Sequence, residues 1–508
     1  MLFPEDTKSA AESLRQFLHE LERDNDLVTI TEDVDPHLEV GAIIRKVYET
    51  EEKAPLFESF TGYDRGESGL FRILGAPVGL SSVPGQKLGR VARSLGLPPT
   101  ASGRDIVLKI NEAKGRAPLP STKVSTGPVK EYKLLGDQID LTALPAPLVH
   151  QDDGGKFLQS FGMHVVRTPD GQWVNWSITR NMVNDARSLV GPVIPRQDIG
   201  VIFQMWKDRG EDMPWALCFG VPPAAIMVGG MPIPKWTNET EFISAITGKP
   251  LEVVQCETND LWVPANAEMV MEGVVSISET APEGPMAEYH GLVFPGAAKQ
   301  CPVFKVNAIT HRKDPVVPIS VTGRATEESH TVWGIMQAAE VLHICQRAGL
   351  PVKMVWNPFE SHCLWFVVQV DRTQLKDRKT QMKPFCEELG HVIFGSKPGW
   401  YIPKLYVVGD DVDPTNLKEV IWAEATRCQP EANEFFFHEY GNIPLIPYVT
   451  HGVQPTTGYH RKVVRCCMFP CEFEDDIVHW NEGSFRGSFP ADVQKKINQN
   501  WEAYGFGV

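Results

Sequence analysis

Three carboxylates fall within ten residues in the string Ser276-Ile-Ser-Glu279-Thr-Ala-Pro-Glu283-Gly-Pro-Met-Ala-Glu288-Tyr289-His290-Gly291. They sit on a Pro/Gly-rich connection after a strand, and loops on a rigid sheet are where catalytic groups concentrate. Pro285 keeps Glu283 and Glu288 off one helical turn, but a loop lets them converge. Neighbouring carboxylates raise one another's pKa, so one can stay protonated and deliver a proton near neutral pH. A solvated acidic turn would read the same way. Arg180 ends an apolar–polar strand. A guanidinium there forms either a bidentate pair with a substrate carboxylate or an ordinary surface ion pair. Asn175 and Arg180 have opposite parity, so a shared site requires the strand to bulge or end between them. His290, His330 and His451 each stand alone, and a lone His is more often a structural hydrogen-bonder than a ligand. No P-loop, dinucleotide fingerprint, zincin motif or nucleophile elbow occurs.

The elements that must hold these groups follow from periodicity. Residues 10–23 predict a helix with Leu14, Phe17, Leu18 and Leu21 on one face, followed by a strand at 27–31. A second helix starts after Pro36, with Leu38, Ile43, Ile44 and Val47 as its apolar face. Residues 117–128 read as a linker. Residues 157–180 predict a hairpin around Pro169-Asp170-Gly171, and further strands are expected at 199–205, 251–254, 274–277 and 303–309. Together these suggest a mostly antiparallel sheet or barrel.

The pattern changes near residue 328. Val332, Ile335, Ala339, Leu342 and Cys345 recur at helical spacing, and Gly349 fits a C-cap. Strands at 352–356, 364–370 and 404–408 then alternate with helices at 373–389 and 417–428, as in a compact α/β unit. The tail is loop-rich and ends in a short helix at 492–504.

Composition narrows the function classes. The 508 residues are 42% apolar and 22% charged, a globular balance. Lys plus Arg is 49 against 64 Asp plus Glu, for a net charge of −15. Such a chain is a poor binder of nucleic acid or anionic membranes, though a local Arg can still hold an anionic small molecule. Residues 213–234 carry no charge, but five prolines rule out a spanning helix, and the run reads as a buried strand followed by tight loops. Ten Cys are too few for a disulfide scaffold, and Cys466, Cys467 and Cys471 read as buried or free thiols. No secretory signal or transit peptide is visible, which points to a cytoplasmic protein.

Several strings in one order resemble the UbiD-type decarboxylases, and within them the fungal ferulic (phenylacrylic) acid decarboxylases. They are NWSITRNMV (175–183), MPWALCFGVPPAAIM (213–227), SISETAPEGPMAEYHG (276–291), GRATEESHT (323–331) and NIPLIPYVTHG (442–452). The resemblance runs from about residue 15 to the C-terminus. It implies an α+β, UbiD-like fold. An N-terminal α/β region (1–120) precedes a split β-barrel flavin-binding domain (121–328). A linker helix (329–349) joins this to an α/β oligomerisation domain (350–450), and a tail (451–508) packs back on the N-terminal domain. The implied assembly is a homodimer.

The implied chemistry is loss of CO₂ from an sp² carbon, which leaves a carbanion that no side chain can delocalise. The family uses prenylated FMN, which forms a transient cycloadduct with the substrate, and a separate flavin prenyltransferase supplies it. Arg180, Glu283 and Glu288 match the family's Arg-Glu-Glu set: Arg180 orients the substrate carboxylate and pairs with Glu283, and Glu288 protonates the product. Cofactor contacts match Asn175, Ser177, Ile178, Arg180, Gln197, Met231, Glu239 and Lys397, and Arg427 is expected to face the flavin or its phosphate as well. A divalent ion, Mn²⁺ or Mg²⁺, matches Asn175, Asp198 and Glu239. Asp198 stands where the ferulate enzymes commonly carry His, and its oxygen still suits either ion. A K⁺ site matches backbone carbonyls of Trp176, Val228 and Met231, with Glu239. The substrate pocket matches Tyr289, Trp333, Tyr401, Ile443 and Leu445. Trp333 replaces an aliphatic residue and Ile443 an aromatic one, which reshapes the pocket.

The resulting expectation is a prenylated-FMN-dependent decarboxylase of α,β-unsaturated (cinnamic or ferulic type) or aromatic carboxylic acids. One alternative is a reversible (de)carboxylase of hydroxybenzoic or heteroaromatic acids on the same fold. Another is a non-catalytic flavin-binding protein.

Overall fold

The computed structural model describes residues 2–506 apart from 70, 295, 297, 444, 450–460 and 474–479. His451 lies outside the described residues.

The chain opens with the helix Leu14–Arg23, whose N-cap Ser13 accepts from the Gln16 backbone N–H. Its expected apolar face is buried, but the helix begins at this cap and not at residue 10. Strands Leu27–Val34, Ala54–Phe60 and Arg72–Gly75 form a sheet that is completed by Val316–Ile319, far along the chain. In the second helix, Glu39–Thr50, the buried residues are Val40, Gly41, Ile44 and Tyr48. Leu38, Ile43 and Val47 are only half-buried, because the helix turns Val40 and Tyr48 inward.

The central unit is a nine-stranded, mostly antiparallel half-barrel. The hairpin pairs Met163–Arg167 with Val174–Ser177 across the expected turn. The strands expected at 274–277 and 303–309 are parts of much longer ones, Met269–Glu283 and Lys299–His311. The expected linker at 117–128 contributes a short strand, Thr122–Val124, parallel to Glu252–Gln255.

Two segments differ in kind from the expectation. Residues 199–205 are helical, within Asp198–Arg209, which Gly210 caps in the left-handed conformation. Ile199, Ile202 and Trp206 bury one face, a spacing of three and four that outweighs the β-propensity of its branched residues. Residues 213–234 hold the strand Met213–Phe219 as expected, but the loops after it include the helix Pro223–Gly229. Proline in its first turn suits it, because that N–H has no intrahelical partner.

A π-helical turn, Ser329–Gly334, runs into the linker helix Ile335–Arg347; the turn buries Val332 and the helix buries Ile335, Ala339, Leu342 and Cys345. Beyond it lies a five-stranded sheet with Trp365–Val370 and Lys404–Gly409 at its centre. The helix expected over 373–389 is two helices, Arg372–Asp377 and Met382–Phe394. Residues 451–508 do not form a tail throughout. Lys462–Cys466 pairs with Lys404–Gly409 and Glu434–Phe437, inside the α/β sheet. Further on, Arg486 donates to the Asp411 carbonyl in the α/β unit. All ten cysteines are free, and all but Cys428 are buried. Among the described residues no helix is long and apolar enough to cross a membrane.

One close approach sets the start of helix Asp198–Arg209. A Cβ on Gly200 would lie 2.0 Å from the Ile194 carbonyl oxygen, so only glycine lets this helix meet the preceding loop. Gly200→Ala should therefore destabilise the fold by about 1–3 kcal/mol in denaturant unfolding. Unchanged stability would show that the loop shifts freely.

Candidate active site

A cavity of about 320 Å³ opens where the half-barrel, the π-helical turn and the α/β unit meet. The strand Val174–Ser177 brings Asn175, Trp176 and Ser177 to its wall. That strand ends before Arg180, which resolves the opposite parity of Asn175 and Arg180, and both line the cavity.

Arg180 joins the two glutamates. Its Nε donates to Glu283 Oε1 at 2.8 Å and its Nη2 to Glu283 Oε2 at 3.3 Å. Its Nη1 donates to Glu288 Oε1 at 2.6 Å. Burial works against the guanidinium charge, but Glu288 and then Glu283 outweigh it and raise the Arg180 pKa. Glu283 ends the strand Met269–Glu283, just past a register shift between Val275 and Thr280. Both glutamates are buried, so the solvated-turn reading does not hold for them. Glu279, by contrast, is exposed and pairs with Lys305 on the outer surface. Glu288 lines the cavity and Glu283 stands behind Arg180.

A second polar cluster lies on the same wall. Glu239 and Asp198 each begin a helix, where the helix dipole favours a carboxylate. Glu239 Oε1 accepts from Asn175 Nδ2 and Oε2 from the Trp176 N–H, both at 2.9 Å. Burial, with the Asp198 charge added, pushes Glu239 up to about 8. Asp198 Oδ2 accepts from Lys397 Nζ at 2.5 Å, and Lys397 also donates to the Ile233 carbonyl. Asn175 Oδ1, Asp198 Oδ1 and Ser177 Oγ are buried without a hydrogen-bond partner. Unpaired buried oxygens beside these carboxyl groups form an all-oxygen donor set of the kind that suits a hard divalent cation.

The remaining wall is aromatic and aliphatic. Trp333 stands edge-on to Tyr289 (5.1 Å, 89°) and to Tyr401 (5.2 Å, 89°). Ile443 and Leu445 close this side, and Ile178, Gln197 and Met231 also line the cavity. Val228 does not reach it; this residue is buried in the helix Pro223–Gly229. Arg427 lies away from the expected flavin site. It lines a different cavity in the α/β unit, paired to Asp411 at 2.7 Å and sandwiched between Trp422 and Phe469. The helix Leu417–Arg427 turns it to that side, so it cannot meet a flavin beside Lys397.

Sequence reasoning assigned no role to Glu327, Glu328 or His362. Glu328 lines the cavity, accepts from the Val78 N–H at 3.1 Å and also bonds Tyr48 Oη. The paired glutamates in GRATEESHT were the available signal. Nothing local marks His362.

Known proteins share this architecture. Family models for the 3-octaprenyl-4-hydroxybenzoate carboxy-lyase (UbiD) match in three parts: the N-terminal domain over 18–110, the Rift-related domain over 121–325 and the C-terminal domain over 330–467. Pyrrole-2-carboxylic acid decarboxylase of Pseudomonas aeruginosa is 41% identical over 498 residues, covering 98% of this chain and 99% of that protein. Ferulic acid decarboxylase 1 of Saccharomyces cerevisiae is also 41% identical over 498 residues, covering 97% and 98%. An evolved dimeric form of the UbiD-class enzyme HmfF from Pelotomaculum thermopropionicum, in complex with prFMN, superposes with a TM-score of 0.74. It is 26% identical and covers 92% of this chain and 97% of that one. Fold, domain order and near-full-length identity agree, and the chain belongs to the UbiD family of carboxy-lyases.

Proposed function

We propose that this chain is a prenylated-FMN-dependent, non-oxidative decarboxylase of α,β-unsaturated or aromatic carboxylic acids. The observation that carries the reading is Arg180 gripped by Glu283 and Glu288 on the wall of one cavity. When bound, prenylated FMN supplies the electron sink that no side chain offers. Asn175, Ser177, Ile178, Gln197, Met231, Glu239 and Lys397 would hold it, and the unpaired Ser177 Oγ suits a polar cofactor group. Glu283 takes the Nε/Nη2 edge of Arg180 and fixes the plane of the guanidinium. Arg180 Nη1 then orients the substrate carboxylate. Glu288 then delivers a proton through its carboxyl to the carbon that has lost CO₂, within a buried loop that keeps bulk water away.

Mn²⁺ or Mg²⁺ would sit among Asn175 Oδ1, Asp198 Oδ1 and Glu239. Lys397 offsets the carboxylate that Asp198 adds there. A K⁺ ion would take the carbonyls of Trp176, Val228 and Met231 beside Glu239.

The active form is proposed to be a homodimer. Ile421, Trp422, Phe485, Phe489, Trp501 and Phe506 are large exposed apolar side chains in the α/β unit and the C-terminal segment, a surface that suits a second copy. A flavin prenyltransferase would supply the cofactor. Ten free cysteines suit the reducing cytoplasm.

A heteroaromatic acid is the second reading. It is favoured by the Tyr289–Trp333–Tyr401 wall, which narrows the pocket, and by the relative that acts on pyrrole-2-carboxylic acid.

Three measurements test this reading. Glu288→Gln should lower turnover by at least about 100-fold, with prenylated FMN retained by absorbance and mass; wild-type rates would remove Glu288 from the chemistry. Asp198→Ala should lose bound Mn²⁺ by elemental analysis, and unchanged metal content would contradict the ligand set. Trp333→Ile should shift relative kcat/KM toward cinnamate over pyrrole-2-carboxylate by about tenfold. Unchanged ratios would count against the pocket assignment.

A further inference from the structure

The loop that carries Glu288 is pinned along its length. Gly154 N–H donates to the Pro285 carbonyl at 2.8 Å, and Thr322 Oγ1 donates to the Ala287 carbonyl at 2.6 Å. Within the loop, Glu288 N–H donates to the Leu292 carbonyl and Gly291 N–H to that of Glu288. These partners lie in the half-barrel unit or beside it.

The Tyr289 carbonyl is held differently. His330 Nε2 lies 3.1 Å from it and His362 Nδ1 lies 3.0 Å from it. The two ring nitrogens are 3.1 Å apart, and the rings stand edge to face at 4.9 Å and 80°. The tautomer of His330 follows from its other nitrogen: Nδ1 accepts the Glu327 backbone N–H at 3.1 Å, so the ring proton is on Nε2. Burial, with His362 beside it, pushes the His330 pKa down to about 3, so the ring is neutral in ordinary buffers. A carbonyl can only accept, so the His362 bond to Tyr289 requires its proton on Nδ1.

His330 belongs to the π-helical turn and His362 to the α/β unit. His362 and the next residue, Cys363, both adopt positive φ, 52° and 61°, the uncommon left-handed conformation for side-chain-bearing residues. Such backbone persists only where surrounding contacts over-determine it. The turn thereby presents His362 to the loop.

We infer that His330 and His362 are positioning residues that latch the α/β unit onto the Tyr289 carbonyl and so hold the Glu288 carboxyl over the cavity. The inference rests on the functional reading of Glu288. It does not require either imidazole to touch substrate. The latch instead sets how much of the time the acid stands in place.

The test separates this role from simple structural support. In Asn, Nδ2 sits on Cγ where His carries Nδ1, and Asn tolerates the left-handed backbone. His362→Asn therefore keeps the donor and His362→Ala removes it. In the full-length protein, His362→Ala should raise hydrogen–deuterium exchange at the Glu288 and Gly291 amides by about tenfold, the loss of one hydrogen bond. With prenylated FMN loaded, its kcat should fall by a similar factor with KM within about twofold, and His362→Asn should restore both. Exchange equal to wild type in His362→Ala, kcat unchanged despite faster exchange, or no rescue by Asn would each overturn the latch. If the loaded wild type decarboxylates no acid, the functional reading fails, and the exchange measurement still decides whether the histidines hold the loop.

Discussion

A buried guanidinium between two carboxylates is the constraint around which the site is built. Arg180, Glu283 and Glu288 come from segments about a hundred residues apart, and none can be buried alone without a large desolvation cost. Meeting them demands that the strand Val174–Ser177 stop short of Arg180. It also demands that Met269–Glu283 shift register before it delivers Glu283. The rest of the half-barrel is a frame that satisfies these two demands while its other residues fill the core.

The charge balance takes on a local meaning in this frame. A chain with a net charge of −15 repels anions at long range. Inside the cavity, cationic groups line the polar wall: Arg180, and Lys397 bound to Asp198. Lys397 and Asp198 neutralise one another and leave one Asp198 oxygen free, so an aspartate at this position is compatible with an ion-binding wall. Arg427 shows the limit of reasoning from charge alone. It is as cationic as Lys397, yet it serves a cavity in another unit.

The cavity exists only because three parts of the chain close on it. The half-barrel provides the polar wall, the π-helical turn provides Trp333, and the α/β unit provides Lys397, Tyr401 and Ile443. A site on a seam gains or loses water as the seam moves. The contacts across it, such as the histidines at the Tyr289 carbonyl, therefore bear on the chemistry as much as on stability.

Much of this was readable from the order of residues. Leu14, Phe17, Leu18 and Leu21, the hairpin around Pro169-Asp170-Gly171, the linker helix and the central α/β strands all follow from local periodicity and turn chemistry, which the chain carries without reference to distant partners. Separate motifs in one order sufficed to mark the family. Residues 199–205 read as a strand yet fold as a helix, because an apolar run of that length suits a strand or a buried helix equally, and only packing decides. The fourth strand of the first sheet, Val316–Ile319, and the strand Lys462–Cys466 join sheets begun far away in sequence. Proximity of Arg180 to its glutamates, of Lys397 to Asp198 and of His362 to Tyr289 belongs to the tertiary structure alone, because these contacts span from 73 to 199 residues and no local pattern encodes them.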